Sequence, residues 1–354
     1  MENGKGRERL DELWWHLDKK CGEVGSSEVF DSIFFSRSIL SDENRSDGDF
    51  DEMALYPPRW DPSCTDPETR LGIFLGLALS NIPVMVGNDL EGPITEFLNT
   101  YGPEIVFSIS DNRKDLDLDM LKRAKSIEIQ YEKTQVMNKK GINYSDRRIP
   151  EIRKGKDLIK IVDLFKEITE ADISVRIDCM DLSNDLDLVL VTRADSVVID
   201  CLPKGHLIHS FPHPVHSLVE ASRHFETFNS RKKGVKLIID APFRGIEDLL
   251  KMRTLGADGI GMTFLMENLS TMAAHQIALG SGGEGGTDWA EVGELCNLFI
   301  KDIMKGYRDS LSFLNITRSG HLNIDMLSTL SLDTASTTGI KLIGYGKQVP
   351  QWKH

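Results

Sequence analysis

From residue 53 onward, short apolar runs rich in valine and isoleucine alternate with longer segments whose apolar residues recur at helical spacing. The runs are MALY (53–56), IPVMVG (82–87), EIVFSIS (104–110), SIEIQY (126–131), ISVRID (173–178), SVVIDC (196–201), VKLIID (235–240) and DGIGMT (258–263). Their length and composition are those of buried strands. PETRLGIFLGLALSN has helical spacing, and GKDLIKIVDLFKEIT repeats it with Leu158, Ile161, Val162 and Phe165. GIEDLLKMRTLG opens near Gly245 and stops at Gly256, a residue suited to a helix C-terminus. Strand–helix alternation implies parallel pairing through crossover helices. Eight such runs predict an α/β fold, a (β/α)8 TIM-like barrel. The first run is the weakest, so irregular closure is expected there.

This pattern divides the chain into three parts. Residues 1–52 form a peripheral extension, with an amphipathic helix in LDELWWHLDKK and an acidic, turn-rich loop in SILSDENRSDGDFDE. Residues 53–275 form the barrel. Residues 276–354 contain the glycine-rich LGSGGEGGT (279–287), read as a linker, then the helix WAEVGELCNLFIKDIMKGYRDSLSFL and a polar tail expected to be irregular. A chain of 354 residues has room for two domains, but barrels of this size run as one. No apolar run approaches the ~18–20 residues that span a bilayer. The charged N-terminus lacks an apolar signal core, and a cytoplasmic location is expected. A net charge of −13 excludes a general nucleic-acid binder. Cys21, Cys64, Cys179, Cys201 and Cys296 form no CxxC pair and no disulfide framework, which fits a reducing compartment.

In a parallel barrel, chemistry gathers where the strands end. The seventh loop, Asp240 to Gly245, and the eighth, Gly261-Met262-Thr263, occupy the usual phosphate position, with Arg244 able to add a charge-assisted bond. An ordinary strand–loop–helix has the same spacing. Arg176 stands mid-strand among apolar residues and needs a partner, either Asp178 or Asp200 or a bound anion. Lys133 follows the fourth run and faces either solvent or an anionic ligand. His206, His209, His213, His216 and His224 follow Asp200 and Cys201, a set able to bind a metal, but Pro212 and Pro214 break the helix that HxxH spacing requires. LGSGGEGGT lacks the GK[ST] of a phosphate loop.

Taken in order, residues 53–275 resemble the FMN-binding domain of glutamate synthase in its stand-alone, archaeal form. The clearest stretch holds Asp240, Asp248, Leu255, Gly256, Ala257 and Gly261 without a gap. SIEIQ resembles the family's Ile-Glu-Ile-Lys strand, SVRI its Ser-Val-Lys-Leu strand with Arg176 in place of lysine, and Asn81 to Gly87 the strand before its Gly-Glu-Gly-Gly loop. The loops depart from the family. Gly-Glu-Gly-Gly becomes Gly87-Asn88-Asp89-Leu90, Gln-Gly-Ala-Lys-Pro-Gly becomes Lys133 to Asn138, and the phosphate double glycine becomes Ala241-Pro242. Pro242 has no N–H to donate.

The resemblance implies a flavin at Gly87, Asn88, Gln130, Arg176, Asp240, Ala241, Arg244, Gly261 and Thr263. Catalytic roles would fall to Arg176 and Lys133. There is no counterpart of the family's iron–sulfur cysteines. Hydride transfer from reduced FMN to a small anionic or amino-acid-like substrate follows, with an electron-donor or catalytic partner subunit. The rewritten loops leave two alternatives: a flavin-free homologue serving as a subunit or regulator, and a metal-dependent enzyme using the His206–His216 loop.

Overall fold

The computed structural model describes residues 2–23, 27–35, 54–59, 67–88, 90, 92–109, 116–131, 133–138, 141–147, 152, 155–202, 212–280, 288–314, 316, 322–345 and 349. Eight parallel strands form one curled sheet: β1 (Ala54–Tyr56), β2 (Val84–Val86), β3 (Ile105–Ile109), β4 (Ser126–Gln130), β5 (Asp172–Asp178), β6 (Ser196–Asp200), β7 (Lys236–Asp240) and β8 (Gly259–Gly261). Their order is β1-β8-β7-β6-β5-β4-β3-β2, with every neighbouring pair parallel. This is the cyclic order of a (β/α)8 barrel, with the ladder open between β1 and β2 among the described residues. The expected irregularity lies at that seam, beside the three-residue β1.

One face of each central strand is apolar and packs against the helix layer. Ile127, Ile129, Ile173, Val175, Ile177, Val197, Ile199, Leu237 and Ile239 are buried there. The crossover helices Gly155–Ile168 and Ile246–Thr254 fall where their periodicity placed them. Gly256, at φ 112°, ends the second of these.

The seam is backed by the helix Pro67–Leu79 crossing the long helix Trp289–Phe313. Glycines bring the two backbones together. A Cβ on Gly72 would lie 2.6 Å from the Trp289 carbonyl oxygen, and one on Gly293 would lie 2.7 Å from Leu75.

The two ends of the chain are more ordered than their composition suggests. The helix Glu2–Glu23 buries Leu13 and Leu17, and Trp14 Nε1 donates to Asp302 Oδ2 at 2.9 Å. Ile33–Phe35 pairs antiparallel with Leu327–Thr329, which pairs parallel with Lys341–Leu342. Between the last two lies the helix Leu332–Thr338, capped by Ser331 and closed by Gly339 at φ 82°. The expectation of an irregular tail is therefore corrected. This helix buries Thr334, Ser336 and Thr338 beside Ala335. Small hydroxyl residues that bond to their own backbone carry no apolar periodicity. The acidic loop 38–52 and most of LGSGGEGGT lie outside the described residues.

Candidate functional site

Strand alternation turns polar side chains into the barrel. Ser108 on β3, Glu128 and Gln130 on β4, Ser174 and Arg176 on β5, Ser196 and Asp200 on β6, and Asp240 on β7 are all buried. An inward charge in a closed core must be paired. Arg176 answers this with Nε 3.0 Å from Glu128 Oε2, Nη1 2.8 Å from Asp240 Oδ2, and Nη1 3.9 Å from Asp200 Oδ2. Of the two partners expected from the sequence, Asp200 takes part as the most distant of three carboxylates, and Glu128 and Asp240 are the nearer ones. Asp178 instead accepts from the Met180 N–H at 2.9 Å. Parallel register sets Arg176 beside Gln130 and Val198, which leaves Glu128 one layer below and Asp240 two strands away within reach of its long stem.

Asp240 is the hub of the rim. Its Oδ2 accepts from the Thr263 hydroxyl at 2.5 Å, and its Oδ1 from the Thr263 N–H at 3.2 Å. Gly261 makes room for it, since a Cβ there would lie 2.4 Å from the Asp240 carboxyl carbon. Burial raises the Asp240 pKa, with Arg176 opposing and Asp200 reinforcing the shift. The Tyr56 hydroxyl, at the end of β1, is held well above its ordinary range by burial and then by the Glu128 carboxylate.

Arg59 completes the cluster. Its Nη1 lies 3.3 Å from Asp200 Oδ2 and its backbone N–H donates to Thr263 Oγ1 at 2.8 Å. Glu128, Arg59 and Tyr56 were not singled out from the sequence. The alternation Ser126–Glu128–Gln130 against Ile127–Ile129 was the available signal for Glu128. No pattern marks Arg59, which follows β1 in an irregular segment.

The remaining predicted residues divide. Gln130 is buried and donates to Ser108 Oγ at 2.7 Å. Gly87 is buried and Asn88 half-buried beyond β2. Ala241 is fully buried after β7. Lys133 opens an antiparallel hairpin, Lys133–Asn138 with Gly141–Arg147, where the resemblance implied a loop. Arg244 is gripped by acids. Its N–H and Nε donate to Asp248 Oδ2 at 3.0 Å, Nη2 to Asp248 Oδ1 at 3.1 Å, and Nη1 to Asp31 Oδ1 at 2.6 Å. The Asp248 bond, with Asp31 adding to it, raises the Arg244 pKa further.

His206 and His209 lie outside the described residues. The other three members of the cluster have structural partners. His213 Nδ1 caps the helix Pro214–Thr227 by accepting from the Val215 N–H. His224 lies 3.1 Å from both Asp187 and Ser183. His216 Nε2 meets Thr337 Oγ1 at 3.3 Å. No group of three or more metal-ligating side chains forms among the described residues.

Burial lowers the His216 pKa below 6.5. Its contribution to stability is therefore complete above pH 6.5 and is lost as pH falls through the folded value. Amide protection of residues 332–338 should weaken from about pH 7 to about pH 5, and less so in His216→Gln. Equal weakening in both chains would place the sensitivity elsewhere.

The eight-stranded architecture is shared with solved enzyme structures. A flavocytochrome b2 variant with sulfite bound matches at 14% identity, covering 93% of this chain and 85% of that one, with a TM-score of 0.58. The recombinant flavin-binding domain of baker's yeast flavocytochrome b2 matches at 15% identity, 93% and 84% coverage, and a TM-score of 0.56. A mandelate oxidase variant with benzaldehyde matches at 13% identity, 89% and 93% coverage, and a TM-score of 0.58. At these identities the likeness establishes the fold, a (β/α)8 barrel. No protein-family model matches the chain, and no curated protein matches it. Among the described residues, no helix is long and apolar enough to cross a membrane.

Proposed function

We propose that this protein is an FMN-dependent oxidoreductase acting on a small anionic substrate, with amino-acid-forming chemistry of the glutamate synthase type as the finer reading. The observation that carries it is the buried cluster of Arg176, Asp240 and Thr263, with Arg244 four residues beyond Asp240, in a barrel whose architecture is shared with flavin enzymes. The donor set suits a phosphate. Arg244 stands where the Ile246–Thr254 helix begins, and Gly245 leaves open space there, since a Cβ would meet nothing within 4 Å. In support of this reading, Arg244 Nη1 already meets one anionic group, the Asp31 carboxylate, at 2.6 Å.

Arg244, Ala241, Gly261 and Thr263 would hold the phosphate end, and Gly87, Asn88 and Gln130 would line the opposite side. Reduced FMN supplies a hydride when bound. Arg176 provides fixed positive charge in a water-poor lumen, and the hairpin opened by Lys133 stands at the same rim. Asp240 orients both Arg176 and Thr263. The electron donor would be a separate partner.

The test is the visible absorbance spectrum of the purified protein, followed by titration with FMN. A stoichiometric flavin spectrum supports the reading, and Arg244→Ala should then weaken FMN by about 1–3 kcal/mol, the worth of a charge-assisted bond. Unchanged affinity would move the phosphate elsewhere.

A specific observation favours a second reading, a flavin-free subunit or regulator. The Thr263 N–H and hydroxyl already satisfy Asp240, and Arg176 is enclosed by carboxylates. A colourless protein that ignores added FMN would select it.

A further inference from the structure

At the foot of the open seam lies a groove of about 480 Å³, on the side of the barrel away from the rim. Its floor is the start of β1 at Leu55, one wall is Leu79 and Ile82 on the approach to β2, and the other is Lys301, Met304 and Arg308 of the long C-terminal helix. These three helix positions are three and seven residues apart and share one face. Leu79 is 49% exposed, so the groove presents apolar surface that nothing in the described chain covers.

The charge distribution is one-sided. Among the described residues, Lys301 and Arg308 form no ion pair or side-chain hydrogen bond, and none of those lining the groove is acidic. This occurs in a chain with 55 acidic against 42 basic residues. Several cations elsewhere on the fold, such as Arg9, Lys125 and Arg231, have a carboxylate within 3 Å. Two uncompensated cations beside an apolar trough attract a ligand with an anionic head and an apolar body.

We propose that this seam groove binds a small amphipathic anion, a carboxylate or phosphate monoester with an alkyl or aryl body. The head would meet Lys301 and Arg308, and the body would cover Leu55, Leu79 and Met304, closing the foot of the seam that the β1–β2 ladder leaves open. The groove shares no residue with the rim, so this holds whether or not the protein carries flavin.

The test is isothermal titration of the full chain with octanoate, octyl phosphate and the uncharged octyl glucoside. Saturable one-to-one binding of an anionic probe is expected, weakened about tenfold or more by the double substitution Lys301→Glu, Arg308→Glu. It should also weaken on raising NaCl from about 50 to about 300 mM. Both residues are exposed, so circular dichroism and Tm should not change. The octanoate and octyl phosphate arms distinguish the two head groups. Three outcomes would each overturn the proposal: no saturable binding of either anion, equal affinity in the double variant, or octyl glucoside binding as tightly as the anions.

Discussion

Gly76→Ala is expected to cost about 2 kcal/mol of stability, because over-packing of about 3 kcal/mol outweighs the ~1 kcal/mol that alanine gains over glycine inside a helix. The added Cβ would lie 2.4 Å from the Cys296 Cβ, 2.6 Å from its Sγ and 2.8 Å from the Gly293 carbonyl oxygen. Two of these three atoms cannot rotate away, since one is backbone and one is a Cβ. The helices Pro67–Leu79 and Trp289–Phe313 must therefore move apart. Burial pushes the Cys296 thiol up to about 12, so it stays a neutral, tightly packed group that offers no relief. Urea denaturation would read the loss. Cys296→Gly in the same chain should restore part of it by removing both the Cβ and the Sγ. A Gly76→Ala protein as stable as the native one would mean that the helix pair is not held by close backbone approach. Because this pair backs the β1–β2 seam, the loss should appear first as lowered amide protection in β1 and β2.

The barrel was legible because its strands are short, apolar and evenly separated by helices, and parallel pairing follows from that alternation alone. Strand ends such as Asp240 and helix stops such as Gly256 could be read directly. The polar lumen was not, because apolar residues dominate each run and mask the alternation within it. In fact β4 alternates isoleucine with Glu128 and Gln130, and β5 alternates Ile173, Val175 and Ile177 with Ser174, Arg176 and Asp178. A period of two marks two faces of different chemistry, and here the polar face points inward.

Arg176 was correctly flagged as a charge in need of a partner. Choosing that partner required the barrel's curvature, which sets β7 within reach of β5 across β6. The tail helix was illegible for another reason. Its buried hydroxyl residues are Thr334, which meets Ser32, and Ser336 and Thr338, which donate to i−4 carbonyls, and hydropathy cannot separate these from a solvated loop. Arg244 was placed correctly beside a helix N-terminus, but its pairing with Asp31 depends on the docking of the N-terminal extension. That contact joins residues more than 200 positions apart.

Arg176→Met should produce the larger loss, about 3–5 kcal/mol at neutral pH, the cost of breaking a buried ion pair and stranding its partners. The arginine lies between Glu128 at 3.0 Å and Asp240 at 2.8 Å, all three fully buried. Methionine fills much of the stem's volume but neutralises neither carboxylate. Its effect must then depend on pH, in a direction fixed by Asp240. Burial already raises the Asp240 pKa above 3.8, and Arg176 is the main influence opposing that rise. Without the guanidinium, the folded-state pKa climbs further above its unfolded value. A group raised on folding stabilises fully below its unfolded pKa, and that contribution is lost as pH rises through the folded value. The deficit of Arg176→Met relative to the native chain should therefore be smallest at about pH 4, where Asp240 carries its proton, and should grow toward about pH 8. Arg176→Lys separates charge from shape. A single ammonium keeps the positive charge but cannot span Glu128 and Asp240 as the planar fork does, so its loss should be smaller and less dependent on pH. Urea titrations of the three proteins at both ends of that range decide the matter. A deficit in Arg176→Met that stays constant with pH would mean that no carboxylate is left stranded, and that Asp240 answers to Thr263 in place of Arg176.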